Sequence, residues 1–348
     1  MELRALGPSD LSVGVFGLGT MTFGHESDEA TSHALLDRYV EAGGNFIDTA
    51  DVYSRGVSEE IIGRWLAMRG GHHGLVIATK ARFAMSDDPA DVGAGRSHLE
   101  RAVDASLSRL GVDAVDLYQI HAWDPATPIE ETMETLNDLV VSGKVRAVGV
   151  SNFLGWQLEK ALLIADWEGW APIVSVQPQY NLLSREIELE LVPVCLDEGI
   201  GLLPWSPLGG GWLTGKYSRD SRPRGETRLG EDPNRGVEAY DLRNSESTWR
   251  ILDVVRRIAQ DRGVTMGQVA LNWLRNRPGV SSVLLGCRTV AQLDDNLAAL
   301  EWDLSTDEMQ DLDTVSAPGI AAYPYGFLEV EAGVDVWERL NTRTAPPF

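Results

Sequence analysis

The chain carries only two cysteines, Cys195 and Cys287, and they lie far apart in sequence. A disulfide framework is not expected from so few in a large chain, and both are read as core thiols. Basic residues are also scarce, with 30 Lys and Arg against 52 Asp and Glu and a formal net charge of −22. That balance argues against nucleic acid or an anionic membrane as partner, yet leaves room for a local basic pocket around a small anion. No apolar run is long enough to cross a bilayer, and the opening "MELRALGPSD" has no basic and apolar leader, so the expected location is the cytoplasm. The six histidines include no H-x-x-x-H pair, and His72 and His73 fall in a glycine-rich loop, which weighs against a metal hydrolase. No short repeat is present, and the sequence sets no oligomeric state.

What is present suits a globular core: 43% hydrophobic and 24% charged residues in a chain of 348. Short β-rich runs recur at "NFID", "LVIATK", "VDLYQIH", "VRAVGVSN", "IVSVQPQ", "IGLLPWS" and "SSVLLG". Amphipathic stretches such as "DEATSHALLDRYVEAG", "SHLERAVDASLSRLG", "IEETMETLNDLVVSGK" and "EIELELVPVCLDEG" lie between them, with glycine closing the end. With "VGVFGLGTM" as the first strand the count reaches eight. Such alternation predicts parallel strands and right-handed crossovers closing into a (β/α)8 TIM barrel, one domain over residues 1–348, with an open doubly wound sheet as the alternative. "LRALGPSDLSVGV" reads as a hairpin covering one barrel end. Residues 206–244 form a long loop after the seventh strand, rich in Gly, Arg, Pro and acidic residues. The tail after Ala317, with "YPYGF" and "APPF", either folds over the barrel mouth or is a loosely packed terminus.

In such a barrel the reactive positions are the carboxyl ends of the strands. Asp48 closes "NFID", Tyr53 follows in the loop, Lys80 closes "LVIATK" and His121 closes "LYQIH". Singly, each has a bland explanation: a turn cap, a surface aromatic, a solvated strand end, a core histidine. Jointly, four ionisable groups of four types converge on one mouth, which points to proton donation to a carbonyl oxygen. A tyrosine of ordinary pKa about 10 is a reluctant acid and needs a nearby cation. A unit charge about 4 Å away at an effective dielectric of about 20 contributes roughly 4 kcal/mol, enough to bring that pKa down by as much as about three. Lys80 supplies the charge, Asp48 holds Lys80, and His121 orients the carbonyl or shares the proton relay. Asp51, past the strand end, is assigned a loop or surface role.

Carbonyl reduction also needs a hydride, and a nicotinamide is the simplest source. Ser151, Asn152 and Gln177 stand at two further strand ends, where their neutral groups suit a carboxamide. Trp205 offers a flat face for stacking, or simply packs. Farther on, "LLGCRTVAQLDDNL" runs from strand to helix with Arg288, Thr289, Gln292, Asp295 and Asn296 in its first turns. Free backbone N–H groups and a guanidinium there suit the 2′-phosphate of NADPH, unless Arg288 is an ordinary surface residue.

From "GLGTMTFG" through "NFIDTADVYS", "ATK", "LYQIH", "GKVRAVGVSNF", "QPQYN" and "WSPLGGGWLTGKY" to "QLDDNL", the sequence resembles the aldo-keto reductase superfamily over nearly its whole length. The resemblance implies a (β/α)8 barrel reducing aldehydes and ketones with NADPH, its tetrad falling on Asp48, Tyr53, Lys80 and His121 with Tyr53 as general acid. It further implies Gly19, Thr20 and Met21 near the nicotinamide ribose, Ser151, Asn152 and Gln177 around the carboxamide, and Trp205 stacked on the ring. Ser206, Leu208, Gly210 and Lys216 would follow the pyrophosphate, with Arg288, Gln292, Asp295 and Asn296 around the adenosine phosphate end. Where some relatives carry lysine and serine, this chain reads "GCRT", so preference for NADPH over NADH rests on Arg288 and Gln292. The partner expected is a small carbonyl compound. Its identity is not encoded in any motif of the 206–244 loop or the tail.

Two other readings compete. "GGWLTGK" has the spacing of a nucleotide phosphate loop, but Tyr217 stands where Ser or Thr must hold magnesium. A cofactor-binding regulatory or redox-sensing subunit with slow turnover would retain the same four residues, and is the alternative function.

Overall fold

The computed structural model describes residues 1–225 and 227–327, so the "APPF" end of the tail lies outside the described residues. A two-stranded antiparallel hairpin, β1 (Leu3–Ala5) and β2 (Ser12–Gly14), opens the chain. Its turn passes so close to the barrel that a Cβ on Gly7, at φ 55°, would sit 2.0 Å from the Val174 carbonyl. Eight parallel strands follow: β3 (Phe16–Gly19), β4 (Phe46–Asp48), β5 (Val76–Ala81), β6 (Val115–Ile120), β7 (Val145–Ser151), β8 (Ile173–Gln177), β9 (Gly201–Leu202) and β10 (Val283–Gly286). They pair in chain order, and β10 returns to pair with β3. Between β9 and β10, Leu202 N–H donates to Gly279 at 2.8 Å and Leu284 N–H to Pro204 at 3.0 Å, closing the sheet. The fold is a (β/α)8 barrel with an amino-terminal hairpin, and the open-sheet alternative is set aside.

Helices α1 (Glu29–Glu41), α2 (Val57–Arg69), α3 (Arg96–Leu110), α4 (Ile129–Val141), α5 (Gly155–Glu168) and α6 (Leu191–Glu198) each connect successive strands from β3 to β9. The pattern "EIELELVPVCLDEG" predicts a longer sixth helix. Its first half is instead a 3₁₀ turn, Glu186–Leu189, because Glu188 turns inward to pair with Arg185 and Tyr180. The long loop after β9 is not wholly irregular: it holds one-turn helices α7 (Arg228–Glu231) and α8 (Tyr240–Arg243). Buried Trp212 anchors it, stacking on Tyr240 at 5.5 Å. Then come α9 (Glu246–Arg262) and α10 (Met266–Arg275) before β10, and α11 (Val290–Leu297) and α12 (Thr306–Val315) after it. No helix among the described residues is long and apolar enough to cross a membrane. Of the tail, the described "YPYGF" leaves Tyr323 and Phe327 exposed while Tyr325 donates to Glu190 just before α6.

Alternation along the strands creates two cores. Ile47, Ile77, Tyr118 and Val148 face outward into the layer shared with the helices. Phe46, Val76, Ala78, Leu117, Ala147 and Leu284 face inward, where Leu6 and Val13 of the hairpin join them. Counting on by two from the inward set reaches Asp48, Lys80, Gln119, His121, Gly149 and Ser151, all at the carboxyl ends. The barrel interior is therefore apolar at the hairpin end and polar at the mouth.

Packing of α2 on α3 leaves no room at Gly63, where a Cβ would meet Arg109 O at 2.2 Å and Leu110 C at 3.0 Å. In an open helix Gly→Ala gains about 1 kcal/mol, but backbone atoms cannot rotate aside. Gly63→Ala is expected to lose about 1–3 kcal/mol by overpacking, measured by urea unfolding; a net gain would show that the two helices separate freely.

Candidate active site

The polar layer is organised by one buried ion pair. Lys80 Nζ lies 2.5 Å from Asp48 Oδ1, and the two side chains are 0% and 2% exposed. The ammonium's other donors go to the Thr49 carbonyl at 2.8 Å and to Tyr53 Oη at 3.3 Å. Oδ2 of Asp48 accepts from Gln119 Nε2 at 3.1 Å and Gln177 Nε2 at 2.9 Å. Thr20 fixes the backbone beneath, its N–H and hydroxyl both donating to the Asp48 carbonyl. A buried pair with every donor and acceptor met is the arrangement in which desolvation is offset. Burial works against the Lys80 charge, but Asp48 and Tyr53 outweigh it and hold its pKa above the ordinary lysine value.

Tyr53 sits in a one-turn helix after β4, and the next two residues, Ser54 and Arg55, have φ of 50° and 52°. Non-glycine residues there cost about 1–2 kcal/mol each, and Ser54 is held by donating to the Phe23 carbonyl at 2.8 Å. The pKa of Tyr53 runs opposite to expectation. Desolvation raises it; Lys80 pulls it down, Asp48 adds to the rise, and the net direction is upward. The phenol is thus a held proton donor, and the ammonium limits the cost of removing the proton without making the group acidic at rest. The His121 ring, 5.8 Å from that of Tyr53, has its pKa driven well below the ordinary value by burial, then by Lys80 and Arg82, so the imidazole is neutral. Its Nδ1 is buried without a partner among the described residues.

Ser151, Asn152, Gln177 and Trp205 form one connected group beside the pair. Ser151 Oγ donates to the Gln177 carbonyl at 2.8 Å, Asn152 Nδ2 to the His121 carbonyl at 2.9 Å, and Trp205 Nε1 to Asn152 Oδ1 at 3.0 Å. The Gln177 amide is turned toward Asp48, a use the sequence did not indicate. Gly19 pairs with Asp48 across β3 and β4, and Met21 is partly exposed on the same side.

Farther along the mouth, cations gather. Burial lowers the pKa of Lys216, and the charges of Arg288 and Arg228 lower it further. Buried Glu26, in the β3–α1 loop, accepts from Arg235 at 3.2 Å and Arg288 at 3.4 Å. A cavity of about 720 Å³ opens beside Lys216, Arg222, Arg224 and Thr227. Ser206, at φ 54°, donates to Glu238 and accepts from the Gly210 N–H, while Leu208 begins a turn of three glycines with positive φ. At the start of α11, Gln292 accepts from the Arg288 N–H at 2.9 Å. Asp295 instead accepts from Gln268, and Asn296 donates to Cys287 Sγ. Sequence reasoning missed Glu26, Gln119, Arg228 and Arg235. Only Gln119 carried a signal, two residues before His121 on the same inward face.

A buried ammonium, a tyrosine and a neutral imidazole at the carboxyl-end mouth define a (β/α)8 barrel with an ionisable cluster at that end. The chain belongs to the Aldo/keto reductase family, whose profile matches residues 15–317. It is 35% identical over 343 residues to a versiconal hemiacetal acetate reductase of Aspergillus parasiticus, covering 91% of this chain and 98% of that one. Protein tas of Escherichia coli strain K12 is 33% identical, covering 90% and 97%. A probable voltage-gated potassium channel subunit beta of Arabidopsis thaliana is 33% identical, covering 86% and 92%.

Of the loop or surface role expected for Asp51, the loop position holds and the surface part is wrong: it is 1% exposed and neither carboxyl oxygen has a hydrogen-bond partner among the described residues. Its N–H is tied to the Lys80 carbonyl at 3.0 Å, which draws the loop inward. Around it, Glu59 accepts from Thr79 at 2.5 Å and from Arg109 at 2.7 Å, and the Tyr118 hydroxyl is likewise without a partner there. Burial, then Glu59, pushes the Asp51 pKa up to about 7, against the pull of Arg109 and Lys80. The folded state therefore keeps a proton that the unfolded chain releases near pH 4. Stability from this group is complete below that pH and is lost as pH rises through about 7. Asp51→Asn is expected to flatten the fall, about 1.4 kcal/mol per pH unit in that window, in urea unfolding from pH 4 to 8. Identical pH slopes in the two proteins would refute a proton held by Asp51.

Proposed function

We propose that this protein reduces an aldehyde or ketone to the alcohol with NADPH, Tyr53 giving the proton to the carbonyl oxygen. The observation that carries the reading is the Lys80 ammonium, locked by Asp48 at 2.5 Å and set 3.3 Å from Tyr53 Oη. As the proton leaves, negative charge grows on the phenol oxygen at the one position where a fixed cation already points. Neutral His121 donates a hydrogen bond to the carbonyl oxygen and aligns it with Tyr53. A bound nicotinamide would supply the hydride.

The donor set fits such a cofactor. Lys216, Arg228 and Arg288 crowd like charges together, a repulsion that a phosphate anion relieves. In this reading Gly19, Thr20 and Met21 flank the ribose, Ser151, Asn152 and Gln177 the carboxamide, and Trp205 the ring. Ser206, Leu208, Gly210 and Lys216 follow the pyrophosphate. Arg288 and Gln292 take the 2′-phosphate with Arg228 and Arg235, and Asp295 and Asn296 shape the helix behind them. Phe83 stands against His121, and Trp123 packs on Phe153 and Trp156 in the loops after β6 and β7, aromatic surfaces that favour flat substrates. Residues 1–348 act as one barrel domain.

The relative named as a channel subunit favours a second reading, a cofactor-holding regulatory subunit. Saturable NADPH binding without turnover on any of a panel of aldehydes and ketones would select it.

Tyr53→Phe is expected to bind NADPH within about twofold of wild type while kcat falls by about 10²–10⁴, measured by steady-state NADPH oxidation and fluorescence titration. More than a tenth of the wild-type kcat would remove Tyr53 from the role. Arg288→Ala should weaken NADPH by roughly tenfold or more through loss of a charge-assisted contact, and leave NADH nearly unchanged; equal weakening of both would rule out a 2′-phosphate contact.

A further inference from the structure

Two residues beyond Lys80, Arg82 leaves β5 with φ of 136°, a conformation that L residues rarely adopt. Its guanidinium carbon lies 5.4 Å from the Phe83 ring centroid. Phe83 in turn stands 4.7 Å from His121. The Arg82 charge is close enough to contribute to the neutrality of His121. Arg82 thus borders the reaction mouth, beside Phe83 and His121.

This guanidinium is underused. The carboxylate beside it, Asp124, is 3.8 Å from Nη2, beyond hydrogen-bond reach. Asp124 is occupied otherwise: Oδ2 accepts from Ala94 N–H at 2.8 Å and Thr127 Oγ1 at 2.7 Å, and Oδ1 from Ala126 N–H at 3.1 Å. Both oxygens therefore clasp the loops before α3 and α4, and the contact of Oδ1 with the arginine is a long ion pair. Arg82 Nε is buried with no acceptor among the described residues. A desolvated donor left unmet is costly. Arg109, of similar exposure, is held to Glu59 at 2.7 Å, whereas the ion pair of Arg82 with Asp124 is 3.8 Å long.

We propose that Arg82 is the anchor for a carboxylate carried by the carbonyl substrate, so that the preferred substrates are aromatic or similarly flat aldehydes and ketones bearing an acid group. This rests on the reductase reading above. The planar fork of a guanidinium matches a carboxylate two bonds at a time, and the Arg82 side chain, 22% exposed, leaves part of that fork open to a ligand. The aromatic surface of Phe83 fills the interval between the anchored acid and the carbonyl at Tyr53 and His121. Asp124 keeps the cation in place from one side without neutralising it by a direct hydrogen bond. In an acidic protein, a cation held at the mouth by a long ion pair selects among anions by contact instead of by overall field.

The test compares 4-carboxybenzaldehyde with its methyl ester, methyl 4-formylbenzoate, in wild type and Arg82→Met. Wild type should favour the acid by roughly tenfold or more in kcat/KM. Arg82→Met should abolish that preference, mainly through the KM of the acid, the ester's kcat/KM in the same protein serving as the reference. A preference that survives the substitution, or wild type favouring the ester, overturns the anchor. Binding of 4-(hydroxymethyl)benzoate to the NADP+-loaded protein, followed by calorimetry, reads the same contact without turnover. Tenfold weakening in Arg82→Met supports the anchor, and an unchanged Kd overturns it. Acid binding that depends on Arg82, with neither aldehyde reduced, would keep the anchor and discard the reductase reading. Should Arg82→Met not fold, Arg82→Gln takes its place in both measurements, with the same outcomes supporting or overturning the anchor.

Discussion

The buried contact between Asp48 and Lys80 is the constraint on which the mouth depends. Each charge alone would be expelled from a barrel interior or lose its ionisation, since an isolated ion in a poorly solvated site costs several kcal/mol. Together they are held because the surrounding elements meet every remaining valence: Thr49 and Tyr53 on the lysine, Gln119 and Gln177 on the aspartate. Four strands thus contribute to one ion pair. The pair in turn fixes the distance between β4 and β5 at their carboxyl ends, and so the place from which the Tyr53 loop departs.

Strand parity then decides which groups share this environment. Positions of one parity on β5 and β6 carry Lys80, Gln119 and His121 into the mouth. The other parity carries Thr79 and Tyr118 outward, toward Glu59 of α2 and Arg109 of α3. Asp51 lies where the two polar systems meet, buried near Glu59 on one side and hydrogen-bonded through its backbone to Lys80 on the other. A proton on Asp51 keeps a second negative charge away from the Lys80 ammonium, so that the ammonium's field is directed at Asp48 and Tyr53.

Much of this was legible because the deciding signals are local. A carboxylate ending "NFID" and a lysine ending "LVIATK" can be placed by period two alone, and eight strand-and-helix alternations define the closed barrel before any contact is known. Gln119 was equally local, but a neutral amide attracts no notice until the carboxylate it serves is located. Asp51 and Glu26 were not legible in the same way. Their partners come from other elements, Glu59 of α2 and the distant Arg109 for the first, and Arg235 and Arg288, far off in sequence, for the second. The upward direction of the Tyr53 pKa was missed for a related reason. The attraction of Lys80 can be guessed from spacing, whereas desolvation and the opposing charge of Asp48 are properties of the packed site.

The distribution of charge gives the mouth its direction. A chain of net charge −22 repels anions at long range, and only cations brought together by folding reverse that sign locally. At one end the charges of Arg228 and Arg288 act on Lys216, and Glu26 accepts from Arg235 and Arg288. At the other end Arg82 stands beside an aspartate already committed to loop N–H groups. Between them lies the fully matched Asp48–Lys80 pair. In the proposed reading these outer cations meet anionic groups, while the matched Asp48–Lys80 pair keeps its charge fixed for proton transfer.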